Sequence, residues 1–488
     1  MTVYELEPQK PRKQAELPTP SFTYSYWHRN PSKKLFGHRT TTELPNRTEI
    51  IVIGSGITGA FAANELVSGG KDVVMLEARE ACWGATGRNG GHCQPAVWDN
   101  VPEAARFELA TFDHVASLVK EHDIPCDFEV VGGIHAIYTQ ELLDLAKKQI
   151  EKLQRHPDLK DKSILITDRK ELAARRIPEA LGAVFQPKAA KCWPYKLVAW
   201  ILESLLGKNE AASGKFNLQT NTPVVRLERD GGSEAPWVVH TSRGQIRARD
   251  VLLATNAYTS YLLAGATELI TPVRGQVAAL EPPNGAPQLP HTYVWSAGFN
   301  DQYLIHRGPE DSQVDAEAAH KGARSLVLGG ERWATPEGEE GISRDDAINP
   351  LVSRALHHSL NHTIKLLPEG EPEDEELHAS WEWTGIMGFS RDGDPWVGRV
   401  PMSLLGNHYT TETSSEGLWM CAGFSGHGMP RAPTCGIAIA EMILGKDCDE
   451  ATVKVPKAWL PHEGRVKKAR TMELPRSYVE LIRMLPDV

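Results

Sequence analysis

Two segments of the chain carry residue types and spacings suited to holding phosphates. Gly54-Ser55-Gly56-Ile57-Thr58-Gly59 has the G-x-G-x-x-G spacing, and Glu77 follows it at the end of a second apolar run. In such a turn Gly54 permits the tight bend and Gly56 lets the backbone approach a pyrophosphate, while Gly59 lets a helix pack on a strand. The helix that follows presents unpaired N–H groups and a partial positive charge to the phosphates, and Glu77 would accept hydrogen bonds from ribose hydroxyls. The second segment, Trp83 to His92, holds Gly84, Gly87, Gly90 and Gly91 around Thr86, Arg88 and Asn89. So many glycines favour a loop whose backbone approaches something closely, and Arg88 and Asn89 could there donate hydrogen bonds to a flat ligand.

The elements that must position these groups are legible as runs and periods. Glu49–Ile53 and Val73–Leu76 are short apolar strands flanking a helix marked by Ala60, Ala63, Leu66 and Val67. Helical spacing also runs from Pro102 to Glu121, Glu141 to Leu153, Leu197 to Leu206, Leu351 to Leu367 and Pro433 to Leu444. Strands are expected at 128–131, 134–138, 222–227, 237–241, 245–248, 251–254, 272–280, 302–306, 325–329 and 418–422. The apolar run at 251–254 leads into Thr255-Asn256-Ala257. Such an ending commonly brings backbone to a ligand at the carboxyl end of a sheet. The run at 418–422 enters Gly423-Phe424-Ser425-Gly426-His427-Gly428-Met429.

At 488 residues, two domains are expected. A net charge of −10 argues against a nucleic-acid partner. The seven cysteines are scattered without a C-x-x-C, so neither a disulfide framework nor a metal site is expected. No apolar run is long enough to cross a bilayer, and Met1 to Lys13 lacks the apolar core of a signal peptide. A cytoplasmic location is the resulting expectation. Residues 1–47, with Tyr24, Tyr26, Trp27 and Phe36, are expected to form an arm lying against the body.

Taken together and in order, the fingerprint at Gly54–Glu77, the loop at 84–91, Ala254-Thr255-Asn256-Ala257 and Gly423–Gly428 resemble the FAD-dependent amine oxidoreductases of the D-amino-acid-oxidase superfamily. The resemblance spans roughly residues 24–446. It is nearest to the γ-glutamylputrescine oxidase branch, through Arg88-Asn89-Gly90-Gly91 and Ser25-Tyr26-Trp27. It implies an α/β (α+β overall) fold: a discontinuous Rossmann-type FAD-binding domain (48–100, 160–270 and 378–446) and a mixed-sheet substrate domain (101–159 and 271–377), with a tail at 447–488. Carried over residue by residue, Gly54, Ser55, Gly56, Thr58, Gly59 and Glu77 bind the ADP half, with Arg79, Val224 and Val225 near adenine. Thr86, Arg88, Asn89 and Gly90 line the ribityl chain and ring, Asn256 closes its strand on the cofactor, and Gly423, Gly426, His427, Gly428 and Met429 run beneath the ring.

The implied activity is oxidation of the C–N bond of an amine or amino acid. A hydride passes to FAD, the imine is hydrolysed, and the electrons reach O2 as H2O2. The alternative is a dehydrogenase with another acceptor. An NAD-dependent dehydrogenase is disfavoured because an NAD site needs neither the Arg88 loop nor the return at Gly423, and an idle flavoprotein is disfavoured by the intact glycines. His92, Tyr303, Trp383 and His427 are the expected catalytic-pocket residues, with Trp381 and His306 as further liners; each could equally belong to the core. Three departures qualify the family pattern. Val327 stands where sarcosine-oxidase-type members carry an oxygen-activating lysine. No cysteine lies near Trp381, so FAD is expected to be noncovalent. Pro430 replaces a lysine that holds a substrate carboxylate, leaving Arg431 and Arg274 as anchors. A larger amine is therefore expected over a small α-amino acid.

Overall fold

The computed structural model describes residues 14–208, 214–230, 234–297, 300–308, 325–372, 375–405, 415–446, 451–472 and 478–484. The N-terminal reading at Met1 to Lys13 and part of the tail lie outside these residues.

The apolar runs that the sequence marks as strands meet in an eight-stranded sheet. Arg47–Ile53 is its centre, paired in parallel with Val73–Leu76 on one side and Gly244–Leu253 on the other. Phe216–Gln219 extends one edge in parallel, and Leu418–Ala422 joins Gly244–Leu253 in parallel. Parallel strands covered on both faces need continuous apolar sequence, and Ile50–Ile53, Val73–Leu76 and Val251–Leu253 are all buried. The runs expected at 245–248 and 251–254 are one strand, Gly244–Leu253.

The dinucleotide helix Ile57–Ser68 and the late helix Ala432–Ile443 lie against each other. A Cβ at Gly436 would sit 2.5 Å from the Thr58 carbonyl oxygen. This close crossing brings the chain's last long helix beside its first, nearly 400 residues apart in sequence.

The second eight-stranded sheet is antiparallel except for one pair, Gly133–Ile137 with Thr292–Ala297. Its longest pair, Ile270–Leu280 with Ala379–Ser390, lies at one edge. Ile164–Ile166, Gly182–Gln186 and Ala379–Ser390 all belong to this sheet. The strands at 164–166, 182–186 and 379–390 thus pair in the second sheet, whereas the expected boundaries group them with the FAD-binding domain. His92–Cys93, Ala190–Lys191 and Glu129–Val130 form a separate three-stranded ribbon. The helix expected over 351–367 is Pro350–His358 only. Its Asn349 cap starts it, and the left-handed backbone of His362 (φ 61°) is incompatible with its continuation.

The arm packs tightly. Tyr26 and Trp27 are fully buried; Tyr26 stacks on Trp383 at 6.2 Å, and Trp27 packs on Trp193 at 6.0 Å.

Candidate active site

One cavity of about 2720 Å3 runs from the glycine turn, between the two sheets, to the segment around Asp99 and Tyr478. At one end Glu77 organises the turn. Its Oε2 accepts from the Ser55 backbone N–H (3.1 Å) and hydroxyl (2.6 Å), and its Oε1 accepts from the Arg79 N–H at 2.9 Å. Gly54 takes φ 105°, a conformation that favours glycine, and its Cβ would stand 2.6 Å from the Ala254 carbonyl oxygen. The Ile57 N–H at the helix start donates to Thr86 Oγ1 at 3.0 Å, locking the second glycine loop onto the first.

The N-terminal arm holds that second loop from behind. Ser25 donates to the Gly87 carbonyl at 2.8 Å, Trp27 to the Asn89 carbonyl at 2.5 Å, and Trp383 to the Arg88 carbonyl at 2.7 Å. Arg88 turns its guanidinium into the protein, donating to Thr384 O (2.5 Å) and to Thr23, while its Nη1 is unpartnered. Arg79 and Arg88 share one buried carboxylate, Asp345, at 2.9 Å and 3.2 Å. Burial holds the Arg88 guanidinium down at about 10 against the pull of Asp345, with Arg79 adding repulsion.

Towards the other end, the Tyr303 ring lies against Gly90 and Gly329; a Cβ at either would stand 1.9 Å or 2.1 Å from its atoms. Burial raises the Tyr303 phenol. His92 Nε2 lies 3.1 Å from Gln94 Oε1 and 3.0 Å from Thr292 Oγ1. Burial, reinforced by His427, lowers its imidazole to about 4, so it is neutral at neutral pH. His427 Nε2 lies 2.7 Å from Glu108 Oε2, and Arg431 Nε donates to Glu108 Oε1 at 2.7 Å. Burial drives the Glu108 carboxyl up, but His427 and Arg431 together hold it below the usual value.

Of the residues expected at the site, Gly54, Ser55, Gly56, Thr58, Glu77, Arg79, Thr86, Arg88, Asn89, Gly90, Asn256, Gly426, His427, Gly428, Met429, His92 and Tyr303 line this cavity. Four do not. Trp383 is fully buried in the core, because its face of the strand is covered by Tyr26. Gly59 lies off the cavity and serves packing, since its Cβ would stand 2.0 Å from the Gly54 oxygen. Gly423 spends its N–H on Asn256 Oδ1 at 3.0 Å. Val225 is 41% exposed while Val224 lines the cavity, because successive side chains of a strand point to opposite faces.

Trp381 and His306 also lie off the cavity, and Val327 is buried with Val277 and Trp383. Both candidate carboxylate anchors are occupied, Arg431 by Glu108 and Arg274 by Glu339 at 2.5 Å. Sequence reading missed Asp345 and Glu108. Nothing local marks Asp345. Glu108 does carry a signal: it falls on the apolar face of its helix, in line with Ala104, Ala105, Thr111 and Phe112.

The chain matches the family model described as FAD dependent oxidoreductase over residues 49–442. The chain belongs to this family. It is 26% identical over 411 residues to the glycine oxidase of Pseudomonas aeruginosa, covering 82% of this chain and 95% of that one. It is 26% identical over 229 residues to the γ-glutamylputrescine oxidoreductase of Escherichia coli, covering 43% and 49%. The crystal structure of glycine oxidase from Geobacillus kaustophilus superposes with a TM-score of 0.62 at 19% identity, covering 84% of this chain and all of that one.

The family's cofactor fits the residues present. Ser55, Gly56, Thr58 and Glu77 form a cradle at the start of a helix, and the buried Arg88 Nη1 lacks a protein partner. FAD is the cofactor of this oxidoreductase.

Proposed function

We propose that the chain oxidises the C–N bond of a small-molecule amine, by way of an imine that water hydrolyses, and passes the electrons to O2 as H2O2. The observation that carries this reading is the single cavity joining the glycine cradle to Tyr303, His92 and His427. FAD, when bound, supplies the two-electron acceptor. The chain's own contribution is to bind, orient and control protons. Ser55 and Thr58 hold the ADP half through the helix start, with Glu77 as ribose acceptor. Thr86, Asn89 and Gly90 would hold the ring, and the backbone around Gly428 and Met429 would offer N–H groups to stabilise the charge of the reduced cofactor. The apolar, aromatic surround disfavours a charged amine by desolvation, so the reacting nitrogen is held neutral.

A noncovalent cofactor is part of this proposal, supported by the absence of any cysteine among the described residues lining the cavity. So is a cytoplasmic location, consistent with six buried free thiols among the described residues. No helix among the described residues is long and apolar enough to cross a membrane. Kinship with the γ-glutamylputrescine oxidase branch is supported by partial identity to one such enzyme and by the Ser25–Trp27 arm on the Arg88 loop. A dehydrogenase using another acceptor is the second reading. It is favoured by Val327, and by Lys468, exposed on a C-terminal helix, being the one lysine on the cavity among the described residues.

The test is an anaerobic screen in which amines and amino acids are added to the yellow protein and flavin bleaching is followed, with peroxide then measured in air. Acid precipitation should leave FAD in solution. Bleaching without peroxide in air favours the dehydrogenase; a colourless protein that takes up no FAD overturns the reading.

A further inference from the structure

At the end of the cavity away from the glycine cradle stands a carboxylate with no cation assigned to it. Asp99 lines the cavity from the loop before helix Pro102–Glu121. Its Oδ2 accepts from the Tyr478 hydroxyl, and its Oδ1 is buried without a partner. The ionisable neighbours that act on it are His427 and Glu108, and His427 is itself engaged by Glu108. A buried carboxylate oxygen without a partner is costly unless something donates to it.

A second group points the same way. His135, on strand Gly133–Ile137, is 4% exposed and lines the cavity with its Nε2 unpartnered. It lies 5.5 Å from the Tyr478 ring and 5.2 Å from that of Trp98. Burial lowers this imidazole to about 4, so it is neutral at neutral pH and can accept a hydrogen bond. Four of the cavity's arginines are paired with carboxylates, Arg79 and Arg88 with Asp345, Arg431 with Glu108 and Arg465 with Asp392, while Arg332 lies 4.0 Å from Glu340 and Arg391 donates to the Met472 carbonyl. A substrate carboxylate brought to this end would meet Asp99. An ammonium would meet a carboxylate oxygen and an imidazole nitrogen, both able to accept, beside the Tyr478 ring, whose face also favours a cation.

We propose that Asp99, with Tyr478 and His135, is a subsite for a second, cationic nitrogen of the substrate, so that the amine oxidised is one end of a diamine. This rests on the amine-oxidation reading above and adds the substrate class. Tyr478 is a positioning residue, fixing the carboxylate through Oδ2 and leaving Oδ1 without a protein partner. His135 supplies the second acceptor.

The holoenzyme tests this with two series, straight-chain diamines from 1,3-diaminopropane to 1,6-diaminohexane and the monoamines of matched length. The dissociation constant of each is read from the concentration dependence of anaerobic flavin bleaching. In the wild type at least one diamine should bind ten-fold or more tighter than its monoamine. Asp99→Asn should reduce that preference at least ten-fold, and Tyr478→Phe should reduce it by a smaller factor.

Bleaching by amines with no preference for any diamine overturns the subsite and leaves the amine-oxidation reading standing. A preference that survives in both variants also overturns it, as does a wild type that binds α-amino acids as tightly as diamines. If neither amines nor amino acids bleach the flavin, both fall. Should Asp99→Asn not fold, Tyr478→Phe and the wild-type series still decide.

Discussion

Replacing Asp345 by asparagine removes the one negative charge that Arg79 and Arg88 share. The side chains of Asp345, Arg88 and Arg79 are 1%, 0% and 6% exposed, so water screens little of the interaction. Arg79 makes three contacts of 2.9–3.0 Å to that carboxylate, and Arg88 approaches it at 3.2 Å. An exposed ion pair contributes about 0–1 kcal/mol. Stripping one partner from a buried pair costs about 3–5 kcal/mol, because the remaining charge stays desolvated. Asparagine preserves the volume, so no cavity term adds to this.

We therefore expect Asp345→Asn to lose about 3–5 kcal/mol, a large share of the roughly 5–15 kcal/mol typical of a folded protein. With a urea slope of about 3 kcal/mol/M, the unfolding midpoint should fall by about 1–1.7 M. Because Arg88 sits within the second glycine loop, flavin fluorescence should report cofactor release at correspondingly lower urea. Tryptophan and flavin fluorescence along one urea titration measure both. A midpoint within about 0.3 M of wild type would place the pair among weak, screened contacts and refute the reasoning.

Gly59→Ala should weaken FAD binding at least ten-fold in titrations of the apoprotein, since its Cβ would lie 2.0 Å from the Gly54 oxygen and the helix must move, at a cost of about 1–3 kcal/mol; unchanged affinity would remove the packing role. The pH profile follows from His92 and His135, each lowered by burial from 6.5 to about 4. Above 6.5 both are neutral, folded or not. Between 6.5 and about 4 only the unfolded chain takes up the protons, so stability drops as the pH is lowered, by about 1.4 kcal/mol per unit for each group, then levels off below about 4. Urea midpoints from pH 7.5 to 4.5 should show His135→Gln losing about one proton's worth of that slope; an identical slope would mean the imidazole titrates normally in the fold.

Much of the scaffold is written locally. The turn at Gly54–Gly59, the apolar strands around it and the helix Pro102–Glu121 follow from spacing, because backbone conformation and the burial of one face are decided over a few residues. The same holds for the glycine loop at 84–91, whose composition rules out regular structure over much length. Which side chains enter the cavity was decided by packing across long separations. Trp383 faces the arm because Tyr26 stacks on it, and the pairing of strand Val224–Arg229 in its sheet decides that Val224, and not Val225, faces inward. Asp345 joins Arg79 and Arg88, and Glu108 joins His427 and Arg431, across separations of more than 250 residues. No short-range pattern encodes such pairings. Periodicity records which face a residue takes on its own element, whereas the partner of a buried charge is fixed only when the elements meet and water is expelled.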